Sequence, residues 1–501
     1  MARIIASAFA ESREQVAELA NRAAMAGADW VELRLDRWPA GADLGPAIAG
    51  VRLPVLVACR TPEDGGQFRG TLGERRELLS HALAAGAQGL DLEIWETWAP
   101  PAGRTRLKLL VRSFHSFTGV PKELPEIRDR LHALPGTVAK IAVTAHDLAD
   151  AAPVFDLLQA TDQRQQPTIA FAMGRTAWPV RVLACAMGAP YVYASIDEGA
   201  ETAPGQVPVS LLAGLYHVHA LSGASAVYGL LGNPALRSLG PWLHNRVFRR
   251  LGLDAVYLPF ETSRPEAVVR MLPRRQLRGL SVTAPWKGSM AAVCQRLSED
   301  ATATGVVNTI VAEAHGVLAG HNTDVAGVRA ALDGVVGNAP DAALRQRAAV
   351  VLGTGGAARA GVLALLQMGF AVTMLGRSLE PAREFARSHG VRLGSLGLRQ
   401  IVAADPVVVV HATPVGGVDR DVEERLVEDY RPGPGTVVLD MVYQPFHTRL
   451  LRDALQAGAT VVPGVEMFLG QAAAQVRLFT GADVDSATLR ACLAGTAVAR
   501  H

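Results

Sequence analysis

The chain has 501 residues, too many for one ordinary core, and is rich in alanine, glycine and valine with few aromatics. Its 49 lysines and arginines nearly balance its 47 acids, with no basic run of the kind that binds nucleic acid. The cysteines Cys59, Cys185, Cys294 and Cys492 lack metal or disulfide spacing, and no apolar run is long enough to span a bilayer. The expectation is a soluble cytoplasmic α/β protein with reduced thiols, acting on small molecules, with no metal, nucleic-acid or membrane partner. The start, Met1-Ala-Arg-Ile-Ile, reads as entering a strand at once, leaving no room for a leader.

Eight strand-like runs open the chain: Arg3–Ala10, Asp29–Asp36, Leu53–Arg60, Gln88–Trp95, Arg106–His115, Thr137–Ala145, Pro167–Gly174 and Pro190–Asp197. Helical patterns at Ser12–Ala28, Glu74–Ala87, Leu148–Gln163 and Val180–Gly188 fit between them, with short or irregular connections after the second and fourth strands. Eight β/α units over 1–222 predict a (β/α)8 barrel, whose chemistry collects at the C-terminal ends of its strands. Glu32, Arg34 and Asp36 share one face of the second strand, Arg60 closes the third, Asp91 and Glu93 lie on the fourth, and His115 ends the fifth.

Lys140 sits in the β-branched run of the sixth strand. Only Lys108, Lys122, Lys140 and Lys287 are lysines in this arginine-rich chain. A buried ammonium is costly unless it is paired or its pKa is lowered enough to make it an amine nucleophile. With His115 on the adjacent strand, Lys140 suits imine chemistry: a lysine condenses with a ketone and a histidine moves the proton. The residues alone lead to a lyase or aldolase acting on an anionic keto compound.

The segments E-L-R-L-D at Glu32–Asp36, R-T-P-E-D-G-G at Arg60–Gly66, S-F-H-S-F at Ser113–Phe117, K-I-A-V at Lys140–Val143 and A-P-G-Q at Ala203–Gln206 resemble type I 3-dehydroquinate dehydratase across the first half. The resemblance implies Lys140 as the Schiff-base lysine and His115 as the general acid/base. Glu32, Arg34 and Arg60 would hold substrate hydroxyls, and Arg181, Thr202 and Gln206 would close over its carboxylate and ring. Asp64 replaces the glutamate that orients the histidine in that family, Thr202 replaces a serine, Ala177 a glycine and Val180 a serine. These changes imply altered rate or lid geometry, not lost chemistry.

Strand–helix alternation restarts at Ser225 after a close junction near Leu221–Ala224, with strands at Ala226–Leu231, Ala255–Pro259 and Leu277–Thr283. Further on, the strand Ala348–Leu352, the turn Gly353-Thr-Gly-Gly-Ala-Ala and a helix over Arg359–Met368 match a dinucleotide-binding turn. Gly353, Gly355, Gly356 and Ala357 would bring backbone against a pyrophosphate at the helix N-terminus. The next strand, Ala371–Leu375, ends in Arg377 where an acid would read the ribose of NAD. A cation there pairs with a 2′-phosphate and favours NADP over NAD. Lys287 in L-S-V-T-A-P-W-K and Asp324 in H-N-T-D form a pair suited to carbonyl reduction.

With G-N-P at Gly232–Pro234, P-W-L-H-N at Pro241–Asn245, V-N-T, A-T-P-V-G at Ala412–Gly416, D-M-V-Y at Asp440–Tyr443 and E-M-F-L-G-Q at Glu466–Gln471, the second half resembles shikimate dehydrogenase. This implies Lys287 and Asp324 as the catalytic pair and Thr283, Asn308 and Gln471 on substrate hydroxyls. It also implies Ser238 and Tyr443 on the carboxylate, and Thr413 beside the cofactor. The fold expected is α/β throughout: a TIM barrel over 1–222, an α/β substrate domain over 223–325 completed by 464–501, and a Rossmann domain over 326–463. Gly240 replaces a second carboxylate-binding serine, which suggests a roomier pocket and relaxed selectivity toward quinate. The leading reading is dehydration of 3-dehydroquinate followed by NADPH-dependent reduction to shikimate. A quinate dehydrogenase in the second half, and a non-catalytic metabolite sensor, are the alternatives.

Overall fold

Small and β-branched residues buried on both faces make parallel strands of the first eight runs. The computed structural model describes all residues except 101–106, 273–275, 337–346 and 496–501. Its first eight strands are β1 (Arg3–Phe9), β2 (Trp30–Arg34), β3 (Val55–Ala58), β4 (Gly89–Glu93), β5 (Leu109–His115), β6 (Val138–Thr144), β7 (Thr168–Met173) and β8 (Tyr191–Ser195). They lie in the order β7-β6-β5-β4-β3-β2-β1-β8, a (β/α)8 barrel paired on every seam but that between β7 and β8 among the described residues. Each falls inside its predicted run; Arg106, the first residue of the fifth run, lies outside the described residues.

Local capping explains the helix limits. Ser12 accepts from Gln15 N–H to start the helix Arg13–Ala26, and Gly27 ends it at φ 101°. Thr71 and Glu74 form a capping box before Leu72–Ala84. The single helix expected over Leu148–Gln163 is instead a 3-10 turn, Leu148–Ala151, followed by the helix Ala152–Ala160. Pro153 fits a helix's first turn but not its interior, so the break falls just ahead of it.

The chain divides into two compact units, 1–241 with 248–277, and 242–247 with 278–501. In the first unit the barrel runs directly into β9 (Ala226–Gly232) and β10 (Ala255–Glu261), which pair in parallel. Gln276 Nε2 donates to the Gly223 carbonyl at 3.0 Å, and Asp147 accepts from Thr262 Oγ1 at 2.6 Å and from Ser263 N–H at 2.8 Å.

The second unit carries most of β11 (Leu277–Val282), then β12 (Arg296–Leu297), β13 (Thr309–Ala312) and β14 (Leu318–His321). β13 runs antiparallel to β11 and β14, and β12 parallel to β14. A parallel sheet follows: β15 (Ala348–Leu352), β16 (Ala371–Gly376), β17 (Arg392–Ser395), β18 (Val408–His411), β19 (Val437–Asp440) and β20 (Thr460–Val462), in the order β17-β16-β15-β18-β19-β20. Strand order reverses between β15 and β18, the crevice where such sheets bind dinucleotides. The helix Gly464–Thr480 returns to the β11–β13 layer, where Gln475 bridges Ser281 and Thr309 at 2.8 and 3.0 Å. Phe479 covers Gly279, at which a Cβ would fall 2.4 Å from the ring.

Candidate active sites

The barrel strands bring Glu32, Arg34, Arg60, His115, Lys140, Arg181, Thr202 and Gln206 around one cavity, with Phe171 and Tyr193 in its wall. Lys140 is opposite Ser113 in the β5–β6 register, and His115 one pleat above it on β5. The link between the two runs through other side chains. Lys140 Nζ and an Arg60 guanidinium N–H each donate to Asp91 Oδ2 at 2.9 Å, and Arg60 also contacts His115 Nε2. Asp91 is therefore the hub of the site. The charge on β4 marked it as a mouth residue, but not as the shared partner of Lys140 and Arg60. Tyr193 carried no signal, yet its ring lies 3.7 Å below the Lys140 ammonium.

The electrostatics favour a reactive amine. Burial, then the neighbouring Arg60, lowers the Lys140 pKa against the pull of Asp91 and Glu32. Burial, Arg60 and Lys140 hold His115 well below the usual imidazole value, so it is a neutral base at pH 7. Burial opposes ionisation of Asp91, but Lys140 and Arg60 outweigh it and keep the acid low.

Buried polar atoms here without a hydrogen-bond partner among the described residues include Glu32 Oε1, Arg60 Nε, Asp91 Oδ1, His115 Nδ1, Arg181 Nη1 and the Tyr193 hydroxyl. Such atoms are expensive unless a ligand satisfies them. Arg181 lies over Phe171 and donates to the Gly205 carbonyl at 3.0 Å, and burial without a carboxylate brings its pKa down to about 9. A substrate carboxylate would restore its charge partner. Ala177 and Val180 are both fully buried and leave Arg181 in the cavity wall. Thr202 N–H donates to Gln206 Oε1 at 2.8 Å, its hydroxyl bonds Ser7 Oγ at 2.7 Å, and Ser7 in turn donates to Glu32. Arg34 is already held by Asp36 at 2.8 and 3.1 Å.

Asp64 does not take the place of the histidine-orienting glutamate. Its Oδ2 accepts from Trp95 Nε1 at 2.8 Å and Thr61 Oγ1 at 3.4 Å. His115 instead stacks on Phe117, ring centroids 6.3 Å apart and 12° from parallel. Phe117 covers Gly65, where φ is +74° and a Cβ would lie 2.2 Å from the ring, so only glycine fits. Asp64→Ala is therefore expected to lower dehydratase kcat/KM by less than about tenfold, well short of the ~10²–10⁴ of a lost acid–base group. Its pH profile should keep its acid limb; enone absorbance against pH checks both.

In the second unit Lys287 Nζ pairs with Asp324 Oδ2, and Asn308 Nδ2 donates to Asp324 Oδ1 at 2.7 Å. Thr323 N–H donates back to Asn308 Oδ1 at 2.7 Å, which fixes the amide and the helix start together. Thr283 follows β11 and is half-buried. Gln471 packs on Gly327, one turn past Asp324, and donates to the Phe468 carbonyl at 2.9 Å; Phe468 stacks on Tyr443 at 4.9 Å. Ser238 belongs to the first unit, where its Oγ accepts from Gly240 N–H at 3.0 Å. The room expected at Gly240 is largely taken: a Cβ there would lie 3.3 Å from Ser238 Oγ and 3.5 Å from the Tyr257 hydroxyl.

The glycine turn fits a dinucleotide. At Gly353 φ is +128° and a Cβ would strike the Ala412 carbonyl at 2.8 Å, while Gly355 is open on all sides. The helix Gly356–Gln367 starts three residues earlier than predicted and has no side-chain cap, leaving its first N–H groups for a ligand. A Cβ at Gly356 would lie 3.5 Å from Lys287, so the turn and the Lys287–Asp324 pair are neighbours. Gly376 lets the end of β16 close on Thr354, and Arg377 stands exposed just beyond it.

A barrel with a buried lysine in its cavity thus precedes a Rossmann unit with a dinucleotide-type glycine turn, which defines a two-activity enzyme. Residues 4–222 match the model of type I 3-dehydroquinase, 230–310 that of the shikimate dehydrogenase substrate binding domain, and 464–491 that of the shikimate 5'-dehydrogenase C-terminal domain. The chain is 31% identical over 95% of its length to the bifunctional 3-dehydroquinate dehydratase/shikimate dehydrogenase, chloroplastic, of Arabidopsis thaliana, covering 82% of that protein. It is 40% identical to shikimate dehydrogenase (NADP(+)) of Halobacterium salinarum over 53% of this chain and 98% of that one. A solved dehydroquinate dehydratase and shikimate dehydrogenase from S. pombe aligns over 98% of both chains at 24% identity and a TM-score of 0.42. The chain belongs to the bifunctional 3-dehydroquinate dehydratase/shikimate dehydrogenase family.

Proposed function

We propose that the barrel dehydrates 3-dehydroquinate through an imine on Lys140, and that the second half reduces the resulting ketone with NADPH. The observation that carries the first step is the set of unsatisfied polar atoms around a lysine of lowered pKa. The Lys140 amine adds to the substrate carbonyl and water leaves. His115 takes a proton from the adjacent carbon and returns it to the departing hydroxyl; hydrolysis of the imine then frees Lys140. Arg181 holds the carboxylate, Glu32 and Arg60 the hydroxyls, and Thr202 and Gln206 cover the mouth.

In the second half Lys287 supplies a proton to the carbonyl oxygen, with Asp324 holding the ammonium in place. Asn308, Thr283 and Gln471 orient the substrate hydroxyls, and Tyr443 its carboxylate. Gly353, Gly355, Gly356 and Ala357 would take the pyrophosphate, and Arg377 the 2′-phosphate; the bound cofactor supplies the hydride. The domain limits that go with this are 1–222, 223–325 with 464–501, and 326–463.

The test is a steady-state comparison of shikimate and quinate with NADP and NAD. Shikimate with NADP should give the highest kcat/KM, and Arg377→Ala should cost at least about tenfold with NADP while changing the NAD value little, the loss of a charged phosphate contact. A higher value for quinate, or an Arg377→Ala variant that keeps its NADP preference, would overturn the assignment.

A further inference from the structure

At the switch point of the Rossmann sheet, His411 ends β18 directly opposite Asp440 at the end of β19. Both are buried. Asp440 acts purely as an acceptor: Oδ1 receives His411 Nδ1 at 2.8 Å and Val442 N–H at 3.0 Å, and Oδ2 receives the Thr448 hydroxyl at 2.5 Å. A neutral His411 beside it therefore carries its proton on Nδ1, which leaves Nε2 with a lone pair. That nitrogen is 2.6 Å from Thr413 Oγ1, so the threonine O–H donates to it.

Thr413 Oγ1 also receives Val415 N–H at 3.3 Å. One lone pair then remains on the hydroxyl oxygen, and no proton. The residue is half-buried, and its methyl group lies 3.3 Å from where a Cβ on Gly353 would be, at the lip of the glycine turn. We propose that the Asp440–His411 pair fixes Thr413 as an obligate hydrogen-bond acceptor toward the dinucleotide, so that it recognises a donor such as a ribose hydroxyl or a carboxamide N–H and never a phosphate oxygen. His411 is on this account a positioning residue that acts through Thr413. A free threonine hydroxyl could turn to donate or accept, and the relay removes that choice.

The inference rests on the dinucleotide reading of the second half, and direct NADPH binding, read from nicotinamide fluorescence on the full chain, separates the two. A wild-type chain that does not bind NADPH refutes that reading and this inference with it. If the relay operates, Thr413→Val weakens NADPH binding about tenfold, Thr413→Ser stays within about threefold, and His411→Asn weakens it without adding to Thr413→Val in the double variant. Wild-type affinity in Thr413→Val, or full additivity in the double variant, would overturn it. Because His411→Asn leaves Asp440 short of a buried donor and can fail to fold, histidine ¹⁵N NMR of the unaltered chain gives a second test. One histidine should show Nδ1–H and a bare Nε2 that shifts in Thr413→Val; a protonated Nε2 at that histidine would refute the relay.

Discussion

Lys140→Met is expected to lower dehydratase kcat by about four orders of magnitude or more, the scale of losing a covalent nucleophile. Methionine fills the apolar length of the lysine stem, and Asp91 keeps its bond from Arg60. The loss is therefore chemical, and a melting curve near that of the wild type should accompany it. The pH dependence has a definite sign. Imine formation needs the neutral amine, and burial and Arg60 lower the Lys140 pKa. Activity should fall as pH drops through that lowered value, and the limb should lie below the ordinary lysine range. Reduction of 3-dehydroshikimate should persist in the same variant.

Lys287→Met should show the converse: a dehydrogenase kcat reduced by about 10²–10⁴-fold, the range for a lost general acid, with dehydration intact. The Lys287–Asp324–Asn308 chain of contacts explains why the effect should fall on kcat more than on cofactor binding. Gly356 lies beside the lysine stem, but it is the turn's backbone that would meet the pyrophosphate. Rates with shikimate and NADP at saturation, together with the NADPH dissociation constant, separate the two effects. A variant that loses NADPH affinity but keeps kcat would contradict the role given to Lys287.

The barrel was legible because each strand is an apolar run buried on both faces, and polar residues punctuating several of those runs gather around one cavity. The glycine turn was legible for a similar reason, since its strand, turn and helix are consecutive. The helix start was misplaced because glycine is a poor helix former, yet Gly356 is recruited by the N–H groups the turn must present. What sequence could not supply was the choice of partner. Asp64 has the right position to orient His115 but is held by Trp95, 31 residues away in sequence. Asp91 shares a face with Glu93, and nothing in their spacing says that one would join Lys140 and the other Arg75. Gly240 suggested space, and Tyr257, from the neighbouring strand, closes on it.

Two of the four lysines of this chain, Lys140 and Lys287, are assigned different chemistry, one covalent and one acid–base. Peptide mapping after borohydride reduction in the presence of 3-dehydroquinate tests that directly. A single reduced adduct is expected, on Lys140, with Lys287 unmodified. An adduct on Lys287, or active enzyme carrying none on Lys140, would contradict it.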